Sequence, residues 1–243
     1  MGGRGASSMT SKVMVTSPSG SYPKSMESLL DQNGRISLDL HDYYNGLDPK
    51  YTRDEIEAFV ATLPYEATVY FAPNGDINYI NSQYRPGSVG VNLTKVSNSF
   101  GTGDDGYVDF HNHPIVITDT SWVYPIFSPR DIGTYVIETS RRTTNFFMPS
   151  VFTVGAQNGM RFTLEYVGGG RRDPANFQKA YSSMFTKVKK KARADAFQAY
   201  NDGVYDTRVE RNTALVAAVT EQMDDYLRTI APEYGFRYNS NLQ

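Results

Sequence analysis

At 243 residues, with 24 Lys and Arg against 26 Asp and Glu, three His and no Cys, the chain can form one large domain or two small ones and carries a formal charge of -2. That balance gives no whole-molecule attraction to nucleic acid or to an anionic membrane. The missing cysteines exclude disulfides, thiol nucleophiles, iron–sulfur clusters and Cys-based zinc knuckles, so any bound transition metal must use imidazole and carboxylate ligands.

No apolar run approaches the roughly 20 residues that span a bilayer, and the N-terminal stretch lacks the apolar core of a signal peptide. The opening Met1-Gly2-Gly3-Arg4-Gly5-Ala6 only half matches a myristoylation signal, which wants Ser or Thr where Ala6 stands. The chain therefore reads as soluble, not secreted and cytoplasmic.

Residues 1–24 are rich in Gly, Ser, Thr and Met without a hydrophobic period and read as a disordered tail. The first helix starts at Thr52, where Thr52-Arg53-Asp54-Glu55 forms a capping box and Ile56, Phe59, Val60 and Leu63 supply an apolar stripe ended by Pro64. Ala67 to Ala72 alternates as a strand, Pro73-Asn74-Gly75-Asp76 has turn chemistry, and Ile77 to Ile80 resumes the alternation as a hairpin partner. Further strands are predicted at Ser88 to Val96 and at Tyr107 to His111, the latter after the loop Gly101 to Gly106.

A helix is expected from Ser128 to about Thr139. Strands at Ser150 to Ala156 and Met160 to Val167 flank Asn158-Gly159, a hairpin signal. After the break at Gly168-Gly169-Gly170, Phe177, Tyr181, Met184, Val188 and Ala192 fall at helical spacing, as do Val209, Val216, Val219, Met223, Leu227 and Ile230. The expected architecture is an α/β domain over 25–167, with a central mixed or antiparallel sheet flanked by helices, followed by a helical extension over 168–243 with two long C-terminal helices.

Two histidines fall in His111-Asn112-His113-Pro114 at the end of a predicted strand. Side chains alternate across a strand, so His111 and His113 share one face while Val108 and Phe110 point to the other. The plain alternative is two surface histidines spaced by chance. Downstream, Ser128-Pro129-Arg130-Asp131 has the chemistry of a helix start: Ser caps, Pro suits the first helical position and Asp complements the helix dipole. Such an Asp can also face a strand end, and two His with one Asp leave a fourth tetrahedral position open, the pattern of catalytic zinc.

His-x-His-Pro followed by Ser-x-x-Asp resembles the JAB/MPN (JAMM) zinc metalloproteases and their bacterial relatives, among them the domain of the DNA-repair protein RadC. The resemblance covers roughly Thr52 to Val167. It implies a JAB/MPN-like, cytidine-deaminase-like fold, in which His111, His113 and Asp131 bind Zn²⁺, Glu66 at the head of its strand is general base and acid, and Ser128 helps stabilise the oxyanion. It implies cleavage of a peptide or isopeptide bond in a protein or peptide substrate. Glu55 and Glu57 are the other nearby carboxylates, on the preceding helix. One departure is the segment Pro114 to Phe127, about twice as long as in the resembled family, which contains the single tryptophan, Trp122. Its apolar group, Trp122, Val123, Tyr124, Ile126 and Phe127, reads as packing for the loop rather than as a substrate platform.

A competing reading makes the chain a phage-associated morphogenesis or interaction protein with a structural or vestigial metal site. A third places nucleic acid on the basic cluster Lys187, Lys189, Lys190, Lys191 and Arg193, for which a solvated helix face is the simpler account. Gly101 to Gly106 satisfies a dinucleotide fingerprint as text, but a strand follows it and its acidic pair would repel a pyrophosphate. The sequon Asn92-Leu93-Thr94 and His41, at a strand or turn edge, carry no further assignment.

Overall fold

The computed structural model describes residues 52–71, 77–82, 107–140 and 149–242. The predicted tail, His41, the Asn74-Gly75 turn, the strand at 88–96 with its sequon, and the Gly101 to Gly106 loop lie outside them.

Helix α1 (Arg53–Ala61) is started by the expected capping box: the Thr52 side chain accepts from the Glu55 amide and the Glu55 carboxylate accepts from the Thr52 amide. Its apolar stripe, Ile56, Phe59 and Val60, is buried. Strands β1 (Ala67–Phe71) and β2 (Ile77–Ser82) pair antiparallel, as the alternation predicts. β1 also pairs antiparallel with β3 (Tyr107–His113), and β3 pairs parallel with β4 (Pro149–Ala156). Between β3 and β4 the chain passes through helix α2 (Pro129–Ser140), the crossover that a parallel pair requires.

β4 and β5 (Arg161–Tyr166) form the hairpin expected from Asn158-Gly159. Gly159 takes φ 84°, a left-handed conformation that glycine adopts without the Cβ penalty. Helices α3 (Phe177–Asn201) and α4 (Arg208–Ile230) follow, the second with its own capping box on Thr207 and Glu210. A last strand, β6 (Phe236–Ser240), which the sequence reading did not name, pairs antiparallel with β5. The described sheet is therefore mixed and six-stranded, in the order β2-β1-β3-β4-β5-β6.

Two apolar clusters divide the faces of this sheet. α1 packs against Ala67, Val69, Phe71, Val108 and Phe110. The second and larger cluster joins α2, α3 and α4 to Phe152, Val154, Phe162, Leu164, Phe236 and Tyr238. Residues 168–242 thus share a core with β4, β5 and α2. Of the helical positions predicted apolar, Val209 is instead 43% exposed, near the start of α4. Among the described residues no helix is long and apolar enough to cross a membrane.

β6 is fastened by a buried polar contact. The Tyr238 hydroxyl donates to Asp224 Oδ1 at 2.6 Å, and Arg228 Nε donates to the other oxygen of the same carboxylate at 2.9 Å. Tyr238→Phe leaves one buried carboxylate oxygen without that donor, and the expected cost is about 1–3 kcal/mol, read as a lower urea midpoint with unchanged slope.

Candidate metal centre

The antiparallel register sets the site. Thr68 lies opposite His111 and Tyr70 opposite Asp109, while Ala67, at the head of β1, gives its amide to the Asn112 side chain. Paired residues point to the same side of a sheet, so Thr68 and Tyr70 share a face with Asp109 and His111, and alternation along β3 adds His113. That face is the one toward α2. Asp131, in the first turn of α2, meets the two imidazoles there.

The three donor groups lie close together. His111 Nε2 and His113 Nε2 are 3.2 Å apart, His113 Nε2 is 3.3 Å from Asp131 Oδ2, and His111 Nε2 is 3.7 Å from Asp131 Oδ1. Ligand atoms on a tetrahedral zinc with bonds of about 2.0–2.1 Å are separated by roughly 3.3–3.4 Å. The two imidazole nitrogens are near that edge length, and the Asp131 carboxylate meets them with a different oxygen each, so one ligand atom from each residue lies within 4.8 Å of the others. The trio forms one group able to hold a metal ion, with both histidines buried and Asp131 partly open.

Supporting contacts orient the ligands. His113 Nδ1 lies 3.0 Å from the backbone carbonyl of Tyr124, an acceptor only, so Nδ1 carries the proton and Nε2 of the neutral ring presents a lone pair. The Phe152 ring lies 5.1 Å from that of His111 and is itself stacked by Phe127 and Tyr135, giving the site an apolar floor. At the start of α2, Ser128 Oγ accepts from the amides of Arg130 and Asp131, while Asp131 Oδ2 accepts from the Ser128 amide at 2.6 Å. The helix-start reading of Ser-x-x-Asp and the ligand reading thus hold together: the cap aims the carboxylate. The Tyr181 hydroxyl of α3 donates to the Phe127 carbonyl at 2.6 Å and secures the approach to Ser128.

Electrostatics follow from burial and proximity. Burial alone would raise the Asp131 pKa, but the interactions with His111 and His113 outweigh it and hold the carboxyl well below the usual range. Burial would likewise lower His111, yet Asp131, Asp109 and Glu66 together raise it. Asp109 is pushed up to about 6 by burial, against the opposing effects of His111 and of the hydrogen bond from Thr68 Oγ1 at 2.8 Å.

The structure brings His111, His113 and Asp131 together and puts buried Glu66 within electrostatic reach of His111. Ser128 stands beside Asp131 as its helix cap; in both of its cap bonds Oγ is the acceptor, so these leave the hydroxyl hydrogen unspent. The other two carboxylates have structural partners: Glu55 completes the capping box, and Glu57 pairs with Arg53 at 2.7 Å and with Arg161.

The long segment 114–127 folds into a small hairpin, with Val123 N donating to Val116 O and Thr118 N to Ser121 O. Asn212 of α4 donates to the Thr118 carbonyl at 2.6 Å, and Trp122 and Tyr124 pack against the larger core. On α3, the predicted basic residues Lys187, Lys189, Lys190, Lys191 and Arg193 are exposed; Lys191 pairs with Asp195 and Arg193 lies over the Phe197 ring.

Sequence reasoning missed Asp109 and Asn112 as members of this neighbourhood. The same alternation that joined the histidines places Asp109 with them and Asn112 behind them. Comparison with protein-family models, with curated proteins and with solved structures yields no match to this chain.

Proposed function

We propose that the chain is a zinc-dependent hydrolase of peptide or isopeptide bonds, of the JAB/MPN type that its motif resembles. The observation that carries this reading is the convergence of His111, His113 and Asp131 in one group able to hold a metal ion, with the non-ligand carboxylate Glu66 within electrostatic reach of His111. Zinc bound there would supply a water of lowered pKa and polarise a scissile carbonyl.

The chain's own residues have matching tasks. Glu66 takes a proton from the attacking water and delivers it to the leaving amine. The Ser128 hydroxyl donates to the developing oxyanion. The Tyr124 carbonyl holds the His113 ring through Nδ1, which leaves Nε2 for the metal. The mixed sheet, with a helix on one face and the ligand-bearing helix on the other, suits a JAB/MPN-like fold.

The test is metal removal. Purified protein is expected to hold about one zinc per chain by elemental mass spectrometry and to cleave members of a pooled set of fluorogenic peptides and isopeptide-linked lysine conjugates. Chelation should abolish cleavage and added zinc restore it. Zinc bound at stoichiometry with no cleavage of any conjugate would favour the structural-site reading of a morphogenesis or interaction protein. Failure to bind zinc sinks the proposal outright.

A further inference from the structure

Asn112 sits between the two histidines in sequence but points the other way, and its side chain is fully buried. Its carboxamide makes three hydrogen bonds, all to the connection between α1 and β1: Oδ1 accepts from Ala67 N at 2.7 Å, and Nδ2 donates to Leu63 O at 3.1 Å and to Tyr65 O at 3.0 Å. These are backbone groups at a helix end and a strand start, where regular partners run out. Asn supplies the one acceptor and two donors they need in a single planar group.

Two of the three bonded residues, Tyr65 and Ala67, flank Glu66. We infer that Asn112 is a positioning residue for Glu66: it ties the backbone on both sides of that carboxylate to the strand that bears His111 and His113, so that base and ligands keep one fixed relation. The inference rests on the metallohydrolase reading above. Asp at this position would keep the acceptor for Ala67 and lose both donations; Leu would match the volume and lose all three bonds. Either would leave buried backbone groups unpaired, so the ordinary alternative is that Asn112 serves stability alone.

The two roles separate with cobalt(II) as the probe in the full-length chain, because its visible spectrum responds to groups around the metal and needs no substrate. Asn112→Ala is the first variant. Asn112→Ser, which leaves space for a water to bridge the same backbone groups, is the second, with folding checked by circular dichroism. A folded Asn112 variant is expected to bind cobalt within about threefold of the wild-type affinity, since all ligands remain, and to change the spectrum at neutral pH in the way Glu66→Gln does. In a Glu66→Gln background the same Asn112 substitution should change the spectrum no further, the non-additivity expected of residues that act through one another.

A spectrum equal to wild type, or an Asn112 effect of equal size in both backgrounds, overturns the inference while leaving the metal site intact. If neither Asn112 variant folds, the residue is structural and the inference fails. A wild-type chain that takes up no cobalt overturns the metallohydrolase reading, and this inference with it.

Discussion

Asp131→Asn is expected to empty the metal site while the fold survives. The amide keeps an oxygen for the Ser128 N–H, so the start of α2 retains its cap, but a neutral carboxamide is a poor zinc ligand between two buried imidazoles. Zinc affinity should fall by more than the 10–100-fold typical of lost supporting contacts. Retention of zinc at the wild-type level would remove Asp131 from the ligand set.

The same variant reads the pH behaviour of the metal-free chain. Asp131 is lowered, so its contribution to stability is present above about pH 3.9 and is lost as pH falls through the folded value. His111 is raised, so its contribution is present below about pH 6.5 and is lost as pH rises through the folded value. In chelator-treated protein the advantage of wild type over Asp131→Asn should therefore peak between about pH 4 and 6.5. With zinc added the trend reverses at the upper end, because coordination needs neutral imidazoles, and stabilisation of the wild type should grow as pH rises past the His111 transition. Thermal melts with and without chelator across pH 4 to 9 check both limbs, about 0.5 unit apart per point.

Why the sequence disclosed some of this and hid the rest is a matter of which groups carry the information. Thr52 with Glu55, Asn158 with Gly159, and the alternations in β1, β3 and β4 are local side-chain signals, and the structure realises them where they were read. The candidate ligands were legible for the same reason: alternation fixes the shared face of His111 and His113, and the capping chemistry of Ser128 and Asp131 fixes where the carboxylate starts. Strand β6 was not, since Phe236 to Ser240 offers only the pair Phe236 and Tyr238 as an inward pattern, in a run too short to separate from a tail. The work of segment 114–127 was invisible because it runs through backbone carbonyls: Tyr124 O on His113 and Thr118 O on Asn212 are contacts that no residue identity encodes. Asn112 was hidden differently. Read as a spacer inside His-x-His, it is seen to act only when the opposite face of the strand is asked what it covers.

Glu66→Gln should leave the zinc content and the thermal midpoint near wild type and lower hydrolysis by about 10²–10⁴-fold, or roughly 3–5 kcal/mol of barrier. Gln preserves size at the head of β1 but cannot act as a base. The competitor for this role is Asp109. It is a buried carboxylate on the same face, and its pKa of about 6 lies closer to that of an effective base than an ordinary aspartate's. Geometry argues against it. Asp109 lies one alternation step behind His111 toward the start of β3, is hydrogen-bonded by Thr68 and is only 2% exposed, whereas the most open ligand, Asp131, meets His113 at the other end of the strand. Glu66, ahead of β1, is 8% exposed and within electrostatic reach of His111. Asp109→Asn should accordingly cost less than about tenfold in rate, while Glu66→Gln is nearly silent in binding and severe in turnover. If instead Asp109→Asn abolishes turnover and Glu66→Gln spares it, the proton passes through the interior carboxylate and the assignment of the base moves from β1 to β3.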